Sequence, residues 1–145
     1  MAGSVRWLLL LFVLLLPGCG QDERIEIQVG QVSARVELAS TGDARRQGLM
    51  GRRSLGQDQG MLMVFPHERT IQIWMLNMEM PIDIGFFDHN GVLLDWRSME
   101  PDGGKRIYAS PAPALYALEM NQGWFNRHGL QAGARLRLPE PMVGR

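Results

Sequence analysis

Several residue patterns that carry common chemistry are missing from this chain. Cys19 is the only cysteine in 145 residues, so the chain cannot form an internal disulfide or hold a metal with a cysteine pair. The three histidines, His67, His89 and His128, are far apart and form no His-x-x-x-His pair, which removes the usual zinc signature. Each therefore reads as a surface residue, His89 most clearly because it falls in a turn. No Gly-x-Ser-x-Gly elbow is present, and no histidine stands at a suggestive position near Ser54, Ser98 or Ser110, so nucleophilic hydrolase templates do not apply. Neither sign of charge dominates: there are 15 basic and 15 acidic residues, and setting aside Arg6 near the start leaves 14 against 15. A chain this balanced lacks the clustered cations that neutralise phosphates, so a nucleic-acid partner is not expected. No internal repeat or low-complexity stretch is visible.

The only long hydrophobic run spans residues 7–16, about half of the roughly 20 apolar residues that a membrane-spanning helix needs. With Arg6 before it and Pro17-Gly18 after it, the run has the architecture of a signal peptide covering residues 1–18. Leu16-Pro17-Gly18-Cys19 resembles the lipobox cut by lipoprotein signal peptidase, with a small residue just before the cysteine and a branched one two places earlier. The resemblance implies a diacylglyceryl group on Cys19, and such a lipid would keep a lone thiol from reacting in an oxidising compartment. Each buried CH₂ of an acyl chain contributes about 0.8 kcal/mol, so several chains make a firm anchor. Residues 19–24 then form the lipidated end and a polar tether. Gly20 rather than aspartate after the cysteine implies, by the sorting rules of enterobacterium-like hosts, the periplasmic face of the outer membrane in the cell envelope.

Residues 25–140 have the length of a single domain. Ile25, Ile27 and Val29 alternate with polar residues, as do Val32, Ala34, Val36 and Leu38, and Gly30-Gln31 between them suits a two-residue turn: an opening hairpin. Ser40-Thr41 offers an N-cap to a short helix that has Asp43 in its first turn and ends near Gly48. Gly60 to Phe65 is an apolar strand that Pro66 should stop, and residues 70–76 alternate as another. Asn90-Gly91 lies between two apolar runs, residues 82–88 and 92–96, and is a strong hairpin signal because both residues tolerate positive φ. Residues 100–105 are a Pro/Gly loop, 115–120 a strand, 124–128 a brief helix and 134–138 a last strand. The resulting expectation is a mainly β (α+β) fold, a small antiparallel barrel-like or sandwich domain with one or two short helices.

Three blocks occur together: Arg46-Gln47-Gly48-Leu49-Met50-Gly51-Arg52, Gly60-Met61-Leu62-Met63-Val64-Phe65, and Trp74-Met75-Leu76-Asn77 running into Pro81-Ile82-Asp83-Ile84. In order and spacing they resemble the domain of unknown function 192 family, and Leu118-Glu119-Met120 with Gly123-Trp124 agrees. The resemblance covers residues from about 32 to 138. It implies a small, mostly β domain, often secreted, and it brings no settled activity or cofactor. Many members read Lys-Asn-Thr where this chain has Leu76-Asn77-Met78, so no role for a lysine carries over.

The most pointed polar set is Arg45, Trp74, Asn77, Asp83 and Glu119. Asp83 lies between Ile82 and Ile84, and Glu119 between Leu118 and Met120, so both carboxylates sit in apolar strands, where an unpaired charge is costly. The set reads as a pocket in which Arg45 and Asn77 fix a small polar ligand, or an envelope protein partner, against the Trp74 wall. Plain structural roles compete with that reading: the side chains could point outward by alternation, or Arg45 could pair with one of the acids. Two alternatives are open. Asp83 and Glu119 could act as the acid and base of a carboxylate-dependent hydrolase, a reading that falls if they face opposite sides. The thioethers of Met75, Met78 and Met80, with Met61 and Met63 nearby, could bind Cu(I), although methionine is also an adaptable core filler.

Overall fold

A computed structural model describes residues 23–145. The 1–18 run and Cys19 lie outside the described residues. The opening hairpin forms as the alternation dictates. Strand β1 (Ile25–Val29) pairs antiparallel with β2 (Val32–Ala39), and Gly30 takes a positive φ of 61° in the turn between them. Helix α1 (Gly42–Gln47) follows, and the Thr41 hydroxyl accepts a hydrogen bond from the Ala44 N–H at 3.2 Å. Thr41→Ala is expected to lower unfolding free energy by about 1 kcal/mol by leaving that N–H uncapped, with Thr41→Ser restoring it. Chemical denaturation measures this, and an unchanged midpoint would show that tertiary contacts alone hold the helix.

The chain continues through β3 (Gln59–Arg69), β4 (Gln72–Trp74), β5 (Ile82–Phe87), β6 (Leu93–Met99), β7 (Ile107–Ala109), β8 (Ala114–Asn121), α2 (Trp124–Arg127) and β9 (Leu136–Arg137). Seven strands form one sheet in the order β6-β5-β8-β3-β2-β1-β9, while β4 and β7 make a separate two-stranded ribbon. The seven-stranded sheet curls until its edges approach. Val92, just before β6, bridges Arg135, just before β9, and Leu93 N–H donates to the Ala134 carbonyl at 2.8 Å. Curling reduces the open hydrogen-bonding edge that a flat sheet would expose.

Both faces of this sheet are covered, and each has its own core. On one face Val36, Leu62, Leu118 and Met120 pack with Ile27, Trp124 and Phe125, so α2 plugs that side. Trp124 is fully buried, its indole N–H donating to Asp58 at 3.0 Å, and Phe125 lies edge-on to Trp124 and stacked on Trp96. On the other face Met61, Met63, Ile84, Phe86 and Ala117 pack with residues of the β4–β7 ribbon and with Leu49 just after α1. Burial on both sides explains why β5 reads as an almost unbroken apolar run: all six of its residues are buried.

Four features differ from the sequence expectation. The sheet is antiparallel except for β2 and β3, which pair in parallel across the α1 crossover. Strand β3 does not stop at Pro66. It runs on to Arg69 through an irregularity between Val64 and Arg69, where the ladder to β8 lapses and a residue without an N–H leaves no ladder bond unmade. The 88–91 turn keeps its hairpin, but Asn90 is not left-handed. Gly91 alone has positive φ, and its N–H returns to the Asp88 carbonyl at 3.0 Å, the pattern of a type I turn followed by a glycine bulge. Strand β7 was not anticipated; it pairs Ile107 with Trp74.

Candidate functional site

A cavity of about 600 Å³ opens between α1, the outer half of β3 and the start of β4. Glu119 of β8 reaches it from the sheet. Its Cα partner on β3 is Met61 and on β5 is Ile84, so its side chain belongs to the α1-covered face. The residue is 3% exposed, and its Oε2 has no hydrogen-bond partner. Burial pushes the Glu119 carboxyl up to about 7, with no neighbouring cation pulling it back. Gly48, at the end of α1, stands over it. A Cβ added there would lie 3.3 Å from the Met63 methyl, which it would crowd, and 3.6 Å from Glu119 Oε2, in ordinary contact. Its φ of 47° is also one that glycine adopts readily.

The wall and mouth come from segments brought in by the β3 irregularity. Met63 and Phe65 supply apolar surface, and Trp74 and Met78 continue it from the ribbon and the turn after it. Trp74 is 54% exposed and lies opposite Ile107, itself 58% exposed. Arg45, Arg46 and Arg69 also line the cavity, and Glu119 is the only acid among the described residues that do. Burial, then the charges of Arg46 and Arg69, lower the Arg45 guanidinium from its ordinary value.

The five residues singled out from sequence do not converge. Arg45, Trp74 and Glu119 share the cavity. Arg45 meets neither Asp83 nor Glu119. Its Nη1 donates to the carbonyls of Ser40 at 2.9 Å and Val64 at 2.7 Å, its Nη2 to a main-chain oxygen of Arg145 at 2.9 Å, and its plane covers Phe65 at 4.9 Å. Asn77 is an exposed turn residue with φ 55°, a conformation asparagine tolerates, and its carbonyl accepts from Gly51 N–H at 3.0 Å. That backbone role accounts for an asparagine there, and Asn77 does not line the cavity. Asp83 is opposite Met120, so it points to the other face of the sheet. There it accepts from Ser98 Oγ at 2.7 Å and from Phe125 N–H at 3.4 Å, which ties β5 to β6 and to α2.

Asp83 and Glu119 therefore face opposite sides of one sheet, and an acid–base pair made of the two is ruled out. Neither points outward, because β5 and β8 are buried on both faces. Met75 and Met80 are packed in the core with Met61 and Met63, a filler role that accounts for them, whereas Met63 and Met78 line the cavity together with Met50. His67 and His89 are exposed. His128 is half-buried against the Trp124 ring, with Nε2 at 3.3 Å from Asp58 Oδ1. Sequence reasoning missed Arg69, Phe65 and Gly48. The blocks holding Gly48 and Phe65 were visible signals for those two, while nothing local pointed to Arg69.

The DUF192 family model, described as "Uncharacterized ACR", matches residues 25–138. Among solved structures, a protein from Sinorhizobium meliloti 1021 described as a candidate transcription regulator is 30% identical, with a TM-score of 0.75 over 79% of this chain and 93% of the other. A protein of unknown function from Novosphingobium aromaticivorans DSM 12444 is 25% identical, with a TM-score of 0.75 over 79% of this chain and 84% of its own. No curated protein matches the chain.

Proposed function

The chain belongs to the domain of unknown function 192 family, and from that premise we propose that it is a lipid-anchored domain of the cell envelope that binds a small polar ligand in the cavity floored by Glu119. One observation carries the reading: a carboxyl that is 3% exposed, with an oxygen lacking any partner, borders an open cavity. Leaving such a group unsatisfied costs about 1–3 kcal/mol, so a fold that retains it needs a compensating contact, and a ligand donor would provide one. Arg45 serves by fixing the start of the β3 irregularity through the Val64 carbonyl, while Trp74 offers an apolar platform at the rim. The anchoring part rests on the 1–18 run and Cys19. The regulator description of the Sinorhizobium meliloti protein is not carried over, because the balanced charge of this chain offers no electrostatic footprint for nucleic acid.

Native mass spectrometry of the full chain, extracted from envelope membranes in mild detergent, tests both parts. The expected result is an acylated mass that reverts with Cys19→Ser, plus a stoichiometric small molecule that Glu119→Gln loses. A bare, unacylated mass would remove the whole proposal. A copper-bearing mass would instead support a soft-metal role for the thioethers of Met50, Met63 and Met78 at the same cavity.

A further inference from the structure

We infer that the ligand of this cavity is amphoteric, a free amino-acid or short-peptide type of molecule whose ammonium meets Glu119 and whose carboxylate meets the arginines at the mouth; this rests on the ligand-binding reading above. The cavity carries opposite charges at opposite depths. Glu119 is buried at the floor, whereas Arg46 and Arg69 are exposed at the rim. Three arginines and one acid line the same space, yet the Glu119 Oε2 is left unpartnered. Both Arg45 Nη atoms are committed to main-chain oxygens, and Arg46 is engaged by Asp43. The gap between floor and rim is therefore bridged by nothing in the protein.

Simpler ligands fit this arrangement less well. A purely cationic molecule would have to pass a cluster of like charges at the mouth. A purely anionic one would satisfy the rim but bring a second negative group toward a buried carboxyl, which like-charge repulsion disfavours. A neutral polyol would leave Arg69, the rim arginine with no ion pair of its own among the described residues, without a counter-charge. A molecule with an ammonium at one end and a carboxylate at the other complements both, since each pair is a charge-assisted hydrogen bond. Met63, Phe65 and Trp74 line the space between the poles and match an apolar side chain. The volume, about 600 Å³, lies within the usual range of small-molecule sites, roughly 300–1,000 Å³, and exceeds what one small amino acid fills, which favours a short peptide.

Calorimetric titration of the full chain in detergent with three related probes separates the terms: the dipeptide Leu-Phe, its N-acetylated form and its C-terminal amide. The free dipeptide is expected to bind at least about tenfold more tightly than either blocked form, the effect of roughly one unmade charge-assisted contact. Glu119→Gln should erase the preference for the free amine while keeping the preference for the free carboxylate. The double substitution Arg46→Gln with Arg69→Gln, at two exposed positions, should do the reverse. Equal binding of the acetylated and free forms would overturn the amphoteric assignment and leave the cavity reading intact. If none of the three binds while a copurified molecule is still lost in Glu119→Gln, the assignment fails and the cavity stands; if neither binding nor copurification is seen, both fail.

Discussion

Replacing Glu119 with leucine is expected to make the folded protein more stable by about 3 kcal/mol near pH 8 and to change little near pH 4. The buried carboxyl titrates at about 7 in the folded state against 4.5 when unfolded. The folded state therefore holds its proton longer. Below pH 4.5 both states are protonated and the group carries no ionisation penalty. As pH rises from 4.5 to about 7 the unfolded chain releases the proton first, so stability declines through that window and levels off above it. The difference corresponds to about 3 kcal/mol, since each pKa unit is worth about 1.4 kcal/mol. Leucine has no proton to release and no oxygen to leave unpaired, so the pH slope disappears with the substitution. Urea denaturation of both proteins across pH 4–8 reads this directly. Parallel curves would mean that the acid is solvated or paired in the folded state, which would remove the observation on which the proposed ligand site rests. A stabilising substitution that abolishes ligand binding would instead mark Glu119 as a residue kept for function at the expense of stability.

The second large effect concerns the neighbouring residue pair on the same two strands. Gly60 of β3 faces Met120 of β8, and a Cβ added to it would lie 2.1 Å from the Glu119 backbone carbonyl and 2.4 Å from the Met120 sulfur. The carbonyl belongs to a buried strand and cannot move without disturbing the β8 ladder, so Gly60→Ala is expected to destabilise by about 3 kcal/mol or more. Gly56→Ala is the informative companion. Its Cβ meets only the Gln59 side chain, at 2.6 Å, and that flexible end can swing away, so a loss of about 1 kcal/mol or less is expected. The two alanine variants should thus separate clearly in thermal melts. If Gly60→Ala melts with the native protein, the close approach of β3 and β8 that places Glu119 under Gly48 is wrong.

Local patterns were legible where one face of an element is wet. Ile25, Ile27 and Val29 alternate because one side of β1 is solvated, and Gly30 marks the turn because the chain there takes positive φ. Thr41 could be read as a cap because its oxygen acts only three residues away. Alternation carries no such information in β5, where every residue is buried, or in β8, where Leu118, Glu119 and Met120 are all buried in succession. Two carboxylates in apolar strands looked alike from sequence, yet register puts Asp83 opposite Met120 and Glu119 opposite Ile84, hence on different faces. Asp83 found donors in Ser98 and Phe125, 15 and 42 residues away in the numbering, separations that no local window reports, and the Glu119 Oε2 found none.

Residue order alone was enough for the class of fold, the opening hairpin, the capped first helix, the 88–91 turn and the family, since each depends on short-range periodicity, backbone conformation or a run of matching residues. Long-range packing makes β2 and β3 run parallel, carries β3 past Pro66, and brings Arg69, Phe65 and Gly48 to the cavity that Glu119 lines while leaving Asn77 and Asp83 outside it. The reason is physical. Chain geometry fixes which way a side chain leaves its own strand, but which strand lies beside it, and whether a buried carboxyl meets a donor there, follows from packing across the whole sheet.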